Sequence, residues 1–152
     1  MSALPRKVPD AACDLVMAWE GLRLEAYRDS GGVWTIGYGH TAPGFGKGFR
    51  ISLLVALAWL AEDLEIAAKR LEGRIGREAV DSLSDNQYAA LLSFVFNLGA
   101  GADWTIWRLL REGRLDEVPN QMARFVHAGG VKLKGLVNRR AAEIKLWRSA
   151  TS

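Results

Sequence analysis

Apolar positions recur at helical spacing over most of the chain, and at strand spacing in one short stretch near the N-terminus. Residues 1–9 read as a short arm ended by Pro9. Asp10 can cap a helix running to about Glu20, with Ala12, Leu15, Val16 and Trp19 as its apolar stripe. Gly21 stops it, because glycine tolerates the left-handed position beyond a helix end. Leu24 to Arg28 and Val33 to Tyr38 are short, aromatic and β-branched, with the turn Asp29-Ser30-Gly31-Gly32 between them, so a β-hairpin is predicted. Pro43 to Gly48 reads as a flexible loop, and Arg50 and Ile51 can add a third short strand.

From there the spacing is helical to the end. Ser52 caps a long helix to about Leu71, with the acids Glu62, Asp63 and Glu65 in its middle. Its most apolar run, Leu53 to Ala61, is far short of the roughly 20 residues a bilayer span takes and reads as a buried helix segment. Ser84 with Gln87 forms a capping box opening a helix that ends at Gly99. A shorter helix starts at Asp103 or Trp104 and stops near Gly113; another spans 116–127, closed by Gly129-Gly130; the last runs from about Leu136 to Trp147. The fold class is α+β. A small lobe with a hairpin or three-stranded sheet is joined by the long helix to a helical lobe, and a cleft between lobes is the natural place for a ligand.

The 152 residues suit one domain of two lobes, with no length left for a separate binding domain. Cys13 is the only cysteine, which excludes an intramolecular disulfide framework, fits synthesis in a reducing compartment and reads as a small buried hydrophobe. The net charge of +3 is unevenly placed. Arg124, Lys132, Lys134, Arg139, Arg140, Lys145 and Arg148 face one acid, Glu143, over the last helical stretch. Such a face either speeds encounter with polyanions or is simply solvated. No apolar targeting segment follows MSALPRK, so synthesis and retention in the cytoplasm are expected. His40 and His127 are the only histidines and lack ligand spacing, so no metal is expected. Gly44-Phe45-Gly46-Lys47-Gly48 lacks the context of a phosphate loop, and no cofactor is expected.

The candidate chemistry lies in EGLRLEAYRDSGGVWTIGYGHT, Glu20 to Thr41. A helix end and a hairpin bring Glu20, Asp29 and Thr35 together by a short route. Two carboxyl groups at fixed separation are what glycosidic cleavage needs. A general acid calls for apolar surroundings, which the hairpin beside Glu20 could supply; Asp29, in a polar turn, suits the carboxylate that stays ionised. Thr35 alternates with Val33 and Gly37, so its hydroxyl could position a water if that face looks toward Glu20. Spacing alone leaves open that Glu20 and Asp29 are surface acids and Thr35 a strand residue.

The same segment closely resembles the catalytic signature of phage-type lysozymes, the endolysins of tailed bacteriophages (glycoside hydrolase family 24). Glu20, Asp29 and Thr35 match that signature position by position. LSDNQYAALLSFVFNLG resembles the family's central large-lobe helix, and GLVNRRAAE its C-terminal signature. The resemblance implies an endo-acting muramidase of peptidoglycan, with Glu20 as general acid, Asp29 as base or nucleophile and Thr35 placing water. It puts His40 and Thr41 at the cleft edge, His40 as a structural partner of an acid. Phe96 and Asn97 fall on the cleft floor, where the family binds sugar N-acetyl groups; Thr105, Gln121 and Arg124 are candidates on facing helices. The run WTIWRLLR departs from the family pattern. Its Trp104 and Trp107 could stack on sugars, although aromatics more often pack in the core. Many relatives carry an N-terminal signal anchor and this sequence shows none, which implies accumulation in the host cytoplasm and release through a membrane lesion. A monomer with peptidoglycan as substrate, no nucleic-acid partner and no stable membrane insertion is the expectation. The competing readings are a lytic transglycosylase, which uses one glutamate, and a non-enzymatic wall or nucleic-acid binder.

Overall fold

The computed structural model describes residues 4–42 and 44–149. Residues 1–3 of the expected arm and Pro43 of the expected loop lie outside the described residues. Helix α1, Asp10–Glu20, ends where the sequence placed it. Its cap position is Pro9, and Asp10 is the first helical residue, where an acid suits the positive end of the helix. Ala12 and Val16 are buried with Cys13 and Met17 packed alongside, while Trp19 faces solvent. The buried stripe is thus rotated from the expected one, because α1 lies on the helical lobe rather than on the hairpin.

Strands β1 (Arg23–Arg28) and β2 (Trp34–Gly37) form the antiparallel hairpin, with Tyr27 opposite Thr35 and a register shift between Arg23 and Tyr27. Arg50 makes a single antiparallel bridge to Glu25 on the other edge of β1. Beyond β2 the chain reverses again: Ile36 and His40 exchange backbone hydrogen bonds of 2.9 Å around Gly37-Tyr38-Gly39.

Helix α2, Leu53–Ile75, begins at a Ser52 cap whose hydroxyl accepts from the Val55 N–H at 3.2 Å, and it runs four residues past the expected end. Its expected burial fails over the first turns. Ala56 and Leu60 are buried, but Leu53, Leu54, Val55 and Leu57 are exposed. The lobe beneath is too small to cover more than one face there. Helix α3, Arg77–Ser82, was not expected.

Helix α4, Asp85–Leu98, opens with the capping box of Ser84 and Gln87 and is buried continuously from Tyr88 to Val95. A helix apolar all round belongs in the middle of a core, and α1, α2 and the C-terminal helix surround it. Helix α5 spans Thr105–Arg111. The expected helix over 116–127 breaks into a 3₁₀ turn, Leu115–Glu117, and the short α6, Val118–Met122. Phe125 leaves the helix to meet Phe94 edge-on, with ring centroids 5.0 Å apart. Strands β3 (His127–Ala128) and β4 (Val131–Lys132) then pair across Gly129-Gly130, both at positive φ as a two-residue hairpin turn requires. Helix α7, Lys134–Trp147, closes the described fold.

Trp107 is buried in this core and donates from Nε1 to the Gly101 carbonyl at 2.6 Å. Trp104 stacks on it at 5.8 Å and is half-buried against Phe125. Core packing is therefore where the structure places both tryptophans of the divergent WTIWRLLR run.

Candidate active site

Glu20 ends α1, so the helix that anchors it belongs to the large-lobe core while its side chain reaches the hairpin lobe. Oε1 lies against Gly39, whose lack of a side chain makes the approach possible: a Cβ there would stand 2.9 Å from the Glu20 Cδ. Oε2 accepts a hydrogen bond from Nη1 of Arg139 on α7. The surroundings of this carboxyl are thus not the apolar ones expected from the hairpin. A guanidinium that is itself buried holds one of its oxygens.

Arg139 belongs to a charged cluster inside the large lobe. Glu143 is fully buried and accepts from the Ser93 hydroxyl at 2.6 Å and from Arg140 Nη2 at 3.0 Å. Arg139 Nε stands 3.5 Å from Glu143 Oε2, and Arg140 Nε 2.7 Å from Oε1. Neither Nε makes a hydrogen bond of proper geometry, so these two contacts are Coulombic. Burial works against both charges of the Arg140–Glu143 pair. It pushes the Glu143 carboxyl up and the Arg140 guanidinium down, and each charge pulls the other back. Arg140 Nη2 also donates to Asn97 Oδ1 at 2.8 Å. One line of groups thus links Asn97, Arg140, Glu143, Arg139 and Glu20. It also corrects the basic face: of the seven expected cations, Arg139 and Arg140 are interior.

Asp29 occupies the hairpin turn and is exposed. Its Oδ1 accepts from the backbone N–H groups of Gly31 and Val33, both at 2.9 Å, which fixes the carboxylate and leaves Oδ2 uncommitted among these bonds. Thr35 is buried at the start of β2, and its hydroxyl donates to the Val33 carbonyl at 3.0 Å. Val33 therefore ties both side chains to one backbone segment, through its N–H to Asp29 and its C=O to Thr35.

His40 Nδ1 lies 2.7 Å from Asp63 Oδ2 on α2, and its ring lies 4.6 Å from Trp59. His40 is thus paired with an acid, the contact the resemblance implied. A recess of about 220 Å³ opens beside Gly39, lined by Thr41, Asp63, Ile66, Arg70 and Phe96 among others. Thr41 and Phe96 thus border open space next to the Glu20 carboxyl. Asn97 is turned to Arg140. Thr105 is the exposed first residue of α5, Gln121 is half-buried on α6, and Arg124 is exposed just beyond it. None of these three lines that recess. Sequence reasoning placed Arg139 and Glu143 only on a basic face and assigned no role to Ser93 or Gly39. The only local signal was the pair Arg139 and Arg140 standing four and three positions before Glu143 in the run NRRAAE, where both can meet it on one helix face. Among the described residues no cluster of side chains could hold a metal ion.

A helical lobe on a small hairpin lobe, with a carboxyl at the junction of helix end and hairpin and a second in the hairpin turn, defines a lysozyme-fold hydrolase. The chain belongs to the phage lysozyme family, whose model matches residues 17–143. It is 36% identical over 143 residues to the endolysin of Acyrthosiphon pisum secondary endosymbiont phage 1, covering 90% of this chain and 94% of that one. The endolysin of Bacillus phage PZA is 32% identical over 149 residues, and this chain spans only 56% of its length. The muramidase domain of SpmX from Asticaccaulis excentricus superposes with a TM-score of 0.82 at 31% identity, covering 95% of this chain and 99% of that one.

Proposed function

We infer that the protein is an endolysin muramidase, hydrolysing the β-1,4 bond between N-acetylmuramic acid and N-acetylglucosamine in bacterial peptidoglycan. The observation that carries this reading is the division of labour at two carboxyl groups. Glu20 has one oxygen held by Arg139 and the other left beside Gly39, a residue that lines the recess. Asp29 has one oxygen tied to the turn and the other uncommitted. Glu20 Oε1 delivers a proton to the glycosidic oxygen, and the carboxylate left behind lies against the Arg139 guanidinium. Positive charge develops on the sugar as the bond breaks. Asp29 Oδ2 meets it, either by taking a proton from an attacking water or by bonding to the anomeric carbon. The Thr35 hydroxyl spends its proton on Val33, so it approaches a water as an acceptor. Thr41 and Phe96 line the way to the reacting bond. The reading includes accumulation in the host cytoplasm, action on the wall at lysis, and a monomeric enzyme.

Mass spectrometry of the soluble fragments released from purified peptidoglycan tests it. Wild type should yield fragments with a free reducing N-acetylmuramic end, and folded Glu20→Gln should yield none. Asp29→Asn should lose roughly 10²-fold or more of the rate. Anhydro-muramyl ends, with Asp29→Asn nearly as active as wild type, would overturn the hydrolase reading in favour of a transglycosylase.

A further inference from the structure

Five of the twelve large hydrophobic side chains exposed among the described residues fall in nine positions, 49–57. Leu54 is 79% exposed, and Phe49, Leu53 and Leu57 are 42%, 48% and 39% exposed. The other side of the same helix is accounted for. Ala56 packs on Gly37 of β2, Trp59 lies on the His40 ring and Leu60 is in the core. At 100° per residue, Leu54, Leu57, Ala58 and Ala61 share the face turned away from those contacts. A helix apolar on both faces with one face in water is unusual for a soluble domain and marks a surface that something else covers. None of these residues lines the recess beside Glu20, so glycan in that recess does not cover it.

Charge says what does. Residues 44–61 carry two charged side chains, the exposed Lys47 and Arg50, and no acid. Arg50 shares an exposed ion pair with Glu25 of β1 at 3.2 Å, a contact worth little in water, so its guanidinium can exchange it for a phosphate. Both cations precede the helix, at the end where its own dipole is positive. The first acid on α2 is Glu62, beyond the apolar turns. Apolar side chains rimmed by cations at one end and acids at the other suit a bilayer with anionic headgroups, approached by the N-terminal end of the helix at a tilt.

We propose that the first three turns of α2, with Phe49, Lys47 and Arg50, form a docking surface for an anionic lipid bilayer. Leu54 and Leu57 enter the boundary between headgroups and acyl chains, and Lys47 and Arg50 meet lipid phosphates. The seat is peripheral: among the described residues no helix is long and apolar enough to cross a membrane. The cleft and its carboxyl groups stay free, which makes the surface independent of the glycosidase reading.

Cosedimentation with vesicles of phosphatidylethanolamine and phosphatidylglycerol, beside vesicles of phosphatidylcholine alone, tests this. Wild type should sediment with the anionic vesicles and less as salt rises. Leu54→Asp/Leu57→Asp should bind about tenfold less or weaker still, since apolar burial sets interfacial partition. Both side chains are exposed, and at Leu54 in the first helical turn an acid is favoured by the dipole, so this variant should fold and keep wall-lytic activity. Lys47→Gln/Arg50→Gln should lose roughly fivefold per charge removed and flatten the salt dependence. Wild type that ignores anionic vesicles, or a double-Asp variant that binds as well as wild type, would overturn the proposal. So would a concentration-dependent dimer in sedimentation that the double-Asp variant abolishes, because the face would then be covered by a second copy.

Discussion

Gly39 carries more of the site than its size suggests. It adopts φ of +73° in the turn after β2, and the Glu20 carboxyl occupies the space a side chain would fill. A methyl group there must be met by movement, and the atoms nearest to it belong to the flexible Glu20 side chain. Leaving Gly39 means re-aiming the carboxyl that Arg139 holds. Gly39→Ala should therefore cost activity out of proportion to stability. A displacement of about 1 Å in a reacting group can lower the rate about 10²-fold, whereas the strained backbone and crowding should cost about 1–3 kcal/mol. Steady-state wall lysis and thermal unfolding, measured on one preparation, separate the two. A variant that loses stability with its specific activity intact would show that the Glu20 carboxyl has room to spare.

At the scale of elements, α7 joins the site to the core through charge rather than through an apolar stripe. Arg139 and Arg140 are buried on either side of Glu143, so the three stand or fall together. Removing the carboxylate leaves interior Arg140 without an acidic partner and Arg139 with Glu20 alone. Glu143→Ala should cost about 3–5 kcal/mol, and Glu143→Gln less, because an amide oxygen still accepts from Ser93 and Arg140. Melting temperatures should fall in the order wild type, Gln, Ala. The same elements mark what the chain reveals about itself. Ser52 and the Ser84–Gln87 box act within one helical turn, so those helix starts are readable locally. The segment proposed to carry the chemistry is local for the same reason, since Glu20, Asp29 and Thr35 are joined by one hairpin. Helix α3 buries only Val80 and shows no periodic stripe. The interior role of Arg139, Arg140 and Glu143 is hidden because charges on a terminal helix read as solvated. Their partners Glu20, Asn97 and Ser93 are 119, 43 and 50 positions away in sequence, and nothing local announces such a pairing. The exposed face of α2 is the converse case: an apolar run reads as buried, and only the size of the lobe beneath it leaves Leu54 in water.

Over the whole molecule the two carboxyl groups stand on parts of unequal strength. The main apolar cluster takes in residues of α1 to α6 and Trp147 of α7, and α1 carries Glu20. The hairpin carrying Asp29 and Thr35 is held by a much smaller set, in which Ile36 and Ala56 are the fully apolar buried members outside that cluster. Local opening follows the amount of apolar burial. Amides of β1 and β2 should therefore exchange through an opening that leaves α4 intact, while the buried amides of α4 exchange only with global unfolding. Ile36→Ala sharpens the test. Truncating a buried Ile costs about 2–5 kcal/mol, and that loss should fall mainly on the hairpin opening, with α4 protection little changed. Native-state hydrogen exchange on both proteins reads the two free energies separately. Equal values for hairpin and α4, lowered together by Ile36→Ala, would mean one cooperative unit and a fixed separation of the two carboxyl groups. Separate values would mean that Asp29 and Thr35 ride on a lobe that opens independently of the helix holding Glu20, so that the separation of the two carboxyl groups is set each time the hairpin closes.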